Sequence, residues 1–329
     1  MGNKKNIIKK PGVKTLSIHH GETFSEETGC VMPPIFSTST FKHGNKGNFD
    51  YTRSGNPNFK ILENILKSIE ESKYCTIFGS GISAVTAITS SLKSGDKILC
   101  ESNLYGCTVR MFNKIFKKFG IEVLYTDLAN KENFKEIKDF QPTLIWLESP
   151  TNPLLKVLDI KLICDEANKY KIPVVLDNTF STALIQKPLE LGATLSLIST
   201  TKFINGHSDA LGGAVLTNNE EWNSKMLFSQ KALGLQPSPF DTWLITRGVK
   251  TLPLRIEQQT KSAEIISKEI ENHRIISKVF YPFNQKHPQF NLAKSQMKSG
   301  GSMITLKLNL NKSDTFKFCK SLRYFSLAE

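Results

Sequence analysis

Ser199-Thr200-Thr201-Lys202-Phe203-Ile204-Asn205-Gly206-His207-Ser208-Asp209 follows directly on the apolar residues 194–198. An apolar run of that length reads as a buried strand, and a lysine among hydroxyls just beyond its end is a candidate Schiff-base nucleophile. Lysine is abundant in this chain, and a lone lysine is more often a solvated surface charge. Lys202 therefore has to be weighed with its surroundings.

A second apolar run, Ile172-Pro173-Val174-Val175-Leu176, ends in Asp177-Asn178-Thr179. It has the character of a strand buried in a parallel sheet, and an acid at its carboxyl end lies where open α/β sheets bind ligands. A turn or helix-cap aspartate is the plainer alternative. Upstream, Phe78-Gly79-Ser80-Gly81-Ile82-Ser83 opens a helical pattern. Backbone N–H groups at such a helix start, with the helix dipole behind them, suit a phosphate. Glycine turn, acid-ended strand, hydroxyls and lysine, in that order, match the needs of an aldehyde cofactor such as pyridoxal 5'-phosphate. That cofactor requires an amine to hold it, donors for its phosphate and a carboxylate against its ring nitrogen.

Residues 97–100, 122–125, 144–147 and 173–176 read as strands, separated by helical patterns at 82–92, 108–119 and 160–169. Such alternation predicts an α/β protein with a largely parallel sheet. The first fifty residues show weak periodicity and read as an arm. A long helical pattern at 254–272 leads into a different arrangement, with a strand at 303–308 and a helix at 313–322. The expected division is an N-terminal arm at 1–55, a cofactor-binding α/β domain at 56–250 and a small domain at 251–329.

The chain has 329 residues and a formal charge of +13. Its lysines are spread along the whole length and no arginine-rich tract occurs, so a solvated basic surface is expected and no nucleic-acid partner. The six cysteines include no CxxC pair, the start is polar and lysine-rich, and no apolar run approaches membrane-spanning length. A cytoplasmic protein without membrane attachment is expected. His19-His20 has no nearby Cys or acidic partner at ligand spacing, so no metal site is predicted.

Several ordered motifs resemble the Cys/Met-metabolism family of pyridoxal-phosphate enzymes, the trans-sulfuration enzymes. They are Tyr51-Thr52-Arg53-Ser54-Gly55-Asn56-Pro57, Gly79-Ser80-Gly81, Tyr105-Gly106, Glu148-Ser149-Pro150-Thr151-Asn152-Pro153, Asp177-Asn178-Thr179, the Lys202 segment, Ser238-Pro239-Phe240-Asp241 and Arg247-Gly248-Val249-Lys250-Thr251-Leu252. The likeness runs from about Thr15 to the last residue. It implies the aspartate-aminotransferase-like fold (fold type I) and a homo-oligomer, a tetramer in the family, with shared active sites. By the same resemblance Tyr51 and Arg53 reach a neighbouring subunit's site, the arginine for cofactor phosphate and the tyrosine beside the substrate.

The resemblance further implies that Lys202 anchors the cofactor and moves protons, that Asp177 faces the ring nitrogen and that Tyr105 stacks on the ring. Asn152 would bond the ring hydroxyl, and Ser199, Thr201 and the backbone of Gly79, Ser80, Gly81 and Ile82 would hold the phosphate. Cys107 resembles the cysteine of methionine γ-lyases, whereas Arg110 and Glu329 resemble the substrate-binding charges of cystathionine γ-synthases and γ-lyases. Chemistry at the γ-carbon is thus expected, with O-acylhomoserine, cysteine and cystathionine as small amino-acid substrates. Cystathionine γ-synthase comes first; cystathionine γ-lyase, methionine γ-lyase and a truncated cofactor-binding protein of little activity are the alternatives. Family members continue past the position of Glu329 to an arginine that clamps the substrate carboxylate. The chain is therefore expected to be a fragment with an incomplete small domain.

Overall fold

The computed structural model describes residues 11–20 and 29–328. In chain order the elements begin with α1 (Val13–His19), α2 (Pro57–Glu70), β1 (Tyr74–Phe78), α3 (Gly81–Thr89), β2 (Lys97–Glu101), α4 (Gly106–Lys114) and β3 (Glu122–Thr126). They continue with α5 (Lys135–Asp139), β4 (Leu144–Glu148), α6 (Ile160–Asn168), β5 (Val174–Asp177), α7 (Thr182–Ile185), β6 (Leu195–Ile198) and β7 (Gly213–Thr217). The rest are α8 (Glu220–Ala232), α9 (Pro239–Val249), α10 (Leu252–Glu269), β8 (Ile276–Phe280), α11 (Phe290–Gln296), β9 (Thr305–Leu308) and α12 (Lys312–Ser321).

One seven-stranded sheet has the order β1-β7-β6-β5-β4-β2-β3. Every pairing from β3 to β6 is parallel, while β7 runs antiparallel to both β6 and β1. A single reversed strand therefore lies between β1 and β6. The carboxyl ends of the other strands consequently share one edge, and Gly79, Glu101, Glu148, Asp177 and Ser199 all emerge there.

The apolar strands are explained by burial on both faces. Cys100, Trp146, Val175, Leu197 and Val215 point into one core, beneath α3, α4 and α8. Leu99, Leu147 and Leu176 point into the opposite core with α6. Alternating side chains therefore serve two different layers, so a polar-out pattern is absent from the sequence. Trp146 meets Phe112 edge to face at 5.2 Å, an arrangement worth about 1 kcal/mol beyond its buried area.

Helix α2 begins where Pro57 fixes the first turn and the Asn56 side chain accepts the Asn58 N–H. Its buried side, which includes Phe59, Leu62, Ile65 and Leu66, joins residues of β7, α9 and α10 in a third core. Helix α1 packs against α2 and α10 and buries Ser17. The arm read from the first fifty residues thus contains a docked helix, which its short amphipathic pattern concealed. A separate two-stranded antiparallel sheet, β8 with β9, packs beside Ala263 and Tyr281.

Candidate active site

The turn after β6 carries Lys202 on the carboxyl edge of the sheet. Its backbone is closed by Lys202 N–H to the Ser199 carbonyl at 3.2 Å and Gly206 N–H to the Lys202 carbonyl at 2.8 Å. Arg255, on α10, grips the next part of the turn. Its guanidinium donates to the carbonyls of Phe203 at 2.7 Å and Ile204 at 3.1 Å, and also to that of Gly248 at 2.9 Å. Gly206 has φ +71, and a Cβ there would run into that guanidinium. The Lys202 side chain is exposed on the rigid turn.

Asp177 closes β5 and is linked to the lysine turn through one residue. The Thr179 N–H donates to the Asp177 carboxylate at 3.0 Å, and the Thr179 hydroxyl accepts the Ser199 N–H at 2.8 Å. Acid, hydroxyl and amine are therefore brought to adjacent strand ends. Burial raises the Asp177 carboxyl above its ordinary range, with the bonds from Thr179 opposing. A cation brought against it would favour the ionised form, which is the requirement of a protonated ring nitrogen.

At the start of α3, Ser80 caps the helix by accepting the Ser83 N–H at 3.0 Å, and the Ala84 N–H reaches the Ser80 carbonyl at 3.1 Å. The Gly81 and Ile82 amides precede the first intrahelical bond and point out of the helix end. A Cβ on Gly81 would lie 2.9 Å from the Ser199 Cβ and 3.0 Å from its Oγ, so the helix end and the β6 hydroxyl enclose one cradle. Amides, hydroxyl, amine and acid on one edge fit a phosphate-bearing aldehyde. Gly79 is held away from the helix by its N–H to the Leu235 carbonyl at 2.8 Å.

Thr201 is bonded within the lysine turn. Its hydroxyl donates to the Gly212 carbonyl at 3.1 Å and accepts the Gly212 N–H at 3.0 Å. Thr201 braces the lysine turn in this arrangement.

Tyr105 lies just ahead of α4 with its ring half exposed. Its N–H donates to Glu148 Oε2 at 2.7 Å. Glu148 is buried, and burial together with the Asp177 charge holds its carboxyl well above the usual range. Asn152 follows in the same β4 exit, between cis peptides at Ser149-Pro150 and Asn152-Pro153. Arg110 is exposed on α4, with its guanidinium against the Cys107 sulfur.

Tyr51 and Arg53 line a groove with Thr38, Thr52, Gln236 and Pro239. Arg53 donates to the Lys231 carbonyl at 2.8 Å and stands 5.4 Å over the Tyr51 ring. Within one chain they gather around the end of α8. Glu329 lies outside the described residues.

Sequence reasoning passed over Glu148, Thr179 and Arg255 as individual participants. Glu148 carries the same signal as Asp177, an acid ending an apolar strand. Thr179 follows Asp177 at the spacing of a local side-chain turn. Arg255 has no local signal for the lysine turn, since Phe203 and Ile204 lie about fifty residues away.

An acid-ended parallel sheet, a glycine helix start and a strand-end lysine define a fold type I cofactor-dependent enzyme. The comparisons with known proteins agree. A family model described as Cys/Met metabolism PLP-dependent enzyme matches residues 14–329. A probable cystathionine gamma-synthase of Herpetosiphon aurantiacus is 40% identical over 300 residues, covering 90% of this chain and 94% of that protein. A cystathionine gamma-lyase of Dictyostelium discoideum is 38% identical, covering 96% of this chain and 83% of that one. The structure of cystathionine gamma synthase from Xanthomonas oryzae pv. oryzae in complex with aminoacrylate and cysteine superposes with a TM-score of 0.93. It is 35% identical and covers 97% of this chain and 84% of that chain. The chain belongs to the Cys/Met metabolism family of pyridoxal-phosphate-dependent enzymes.

Proposed function

We propose that this enzyme is a cystathionine γ-synthase, replacing the acyl group of an O-acylhomoserine with cysteine. The observation that carries the site reading is the Thr179 link, which ties Asp177 and Ser199 into one frame beside Lys202. Bound pyridoxal phosphate supplies an electron sink for carbanions at the substrate's α and β carbons.

This chain's residues then have separable tasks. Lys202 Nζ is the amine that would hold the cofactor through its aldehyde. The same flexible primary amine would serve as the base for the α proton and would carry protons between neighbouring carbons. Asp177 keeps the ring nitrogen protonated. The Tyr105 ring covers one face, Asn152 faces the ring hydroxyl, and Ser199 with the Gly81 and Ile82 amides holds the phosphate.

Arg110, one helical turn beyond Tyr105, offers a cation for the distal carboxylate of a substrate or product. That placement supports cystathionine or a succinylated homoserine, and the similarity to cystathionine γ-synthases supports synthesis. A second reading, γ-elimination, is favoured by Cys107 beside Arg110 and by the similarity to γ-lyases. Tyr51 and Arg53 are assigned to a neighbouring subunit's site, a role that their place on a surface groove supports. A reducing, cytoplasmic setting suits the free cysteines.

Product analysis separates the two reactions. Incubation with O-succinylhomoserine and cysteine yields cystathionine from a synthase, whereas cystathionine alone yields cysteine and 2-oxobutyrate from a lyase. Predominant cleavage in the second assay, without formation in the first, overturns the synthase assignment. For shared sites, Lys202→Ala and Arg53→Ala chains, each inactive alone, regain activity when refolded together; no regain contradicts sharing.

A further inference from the structure

Glu148 and Asp177 are direct register partners at the ends of β4 and β5, so two carboxyls face the same edge side by side. Only Asp177 is needed to face a ring nitrogen. Glu148 is 7% exposed and turns instead toward backbone, accepting the Tyr105 N–H at 2.7 Å. The Asn152 N–H also faces this carboxyl. One buried acid thus meets the main chain of both residues assigned to the ring's face and its hydroxyl.

The geometry at Tyr105 explains why an anchor is required. Tyr105 is the N-cap residue of α4 but provides no side-chain cap, and the residue is 41% exposed. A ring at the head of a helix takes its direction from the backbone that carries it. Glu148 accepts the Tyr105 N–H from the strand beneath, at the positive end of the helix.

We infer that Glu148 is a positioning residue, which sets Tyr105 and Asn152 against the cofactor ring through their backbone amides. This rests on the pyridoxal-phosphate reading of the site. The position needs an acceptor oxygen rather than a charge, since even a protonated carboxyl keeps its carbonyl oxygen as acceptor. Glutamine preserves that oxygen; leucine keeps much of the volume and removes it.

The test uses the full chain titrated with pyridoxal phosphate, read by affinity and by the visible circular dichroism of the bound ring. Glu148→Gln is expected to stay within about threefold of the wild-type Kd with the same ellipticity, whereas Glu148→Leu weakens binding about tenfold and diminishes the ellipticity. Because the effect passes through Tyr105, Glu148→Leu and Tyr105→Ala are expected to be non-additive in the double variant. Wild-type affinity and ellipticity in Glu148→Leu, or full additivity with Tyr105→Ala, overturns the inference. Should Glu148→Leu not fold, a tenfold loss in Glu148→Gln overturns it, and retained binding there supports it. If the wild type itself binds no pyridoxal phosphate, the parent reading fails, an outcome distinct from a wild type that binds and a Glu148→Leu variant that matches it.

Discussion

The Arg255 guanidinium donates to the Phe203 carbonyl at 2.7 Å, one residue beyond Lys202. Three carbonyls from two segments converge on this fork, and no point charge can meet all of them in the same plane. Arg255→Lys is expected to lower turnover about tenfold by loosening the lysine turn, the loss expected for charged hydrogen bonds of about 1.5–3 kcal/mol. Steady-state kinetics with far-UV circular dichroism checks this: the rate falls while helix content stays.

Gly81 lies against Ser199 where a methyl group has no room. Gly81→Ala is expected to displace the Ser199 hydroxyl and weaken pyridoxal-phosphate binding about tenfold. Alanine also favours a helix by about 1 kcal/mol over glycine, so stability changes little while affinity falls. Thermal melts alongside cofactor titration separate the two effects.

Glu70 provides a pH dependence of stability. It is 1% exposed, and its carboxyl faces the Leu189 backbone and the Ser196 hydroxyl. Lys187, the cation facing it, pairs with Glu71 at 3.1 Å and Glu190 at 2.9 Å. Burial pushes the Glu70 carboxyl up to about 8, with Lys187 opposing. Its folded value therefore exceeds its unfolded one. The folded chain keeps a proton that the unfolded chain gives up, so stability is full below the ordinary carboxylate range and declines as pH rises toward about 8. The slope is about 1.4 kcal/mol for each pH unit crossed in that window. Glu70→Gln removes the share of the decline that belongs to Glu70, beside those of other buried carboxyls such as Glu63. Its melting temperature is expected to exceed the wild type's by more at about pH 8 than at about pH 5.

Arg110 is exposed beside the site and has no part in the cofactor cradle. Arg110→Ala is expected to raise KM for O-succinylhomoserine about tenfold, with a smaller change for an acetylated substrate lacking the distal carboxylate. Its cofactor affinity is expected to match the wild type's. Equal effects on both substrates would detach Arg110 from distal-charge recognition.

Much of the fold was legible because buried parallel strands leave short continuous apolar runs. Strands expected at 97–100, 122–125 and 144–147 occur as β2, β3 and β4, each one residue longer. Strand β7 was not legible. Its Gly213–Thr217 run is as apolar as its neighbours, and nothing local states that it runs backwards between β1 and β6. Helix α1 has too few turns to show a period. At the candidate site, Lys202, Asp177 and the Gly79–Gly81 turn could be singled out because each has a local signature, and the fold brings them to one edge of the sheet. The Thr201 hydroxyl could not be placed, since its partner Gly212 is eleven residues away across a turn. Arg255 was invisible for the same reason over a longer distance.

The central claim is that Lys202 anchors pyridoxal phosphate on this edge of the sheet. Purified wild-type chain and Lys202→Ala are each incubated with pyridoxal phosphate, passed through gel filtration and scanned in the near-visible range. A cofactor band that travels with the wild type and is absent from Lys202→Ala is the predicted result. A wild type with no band, or a Lys202→Ala variant with an undiminished one, would contradict it.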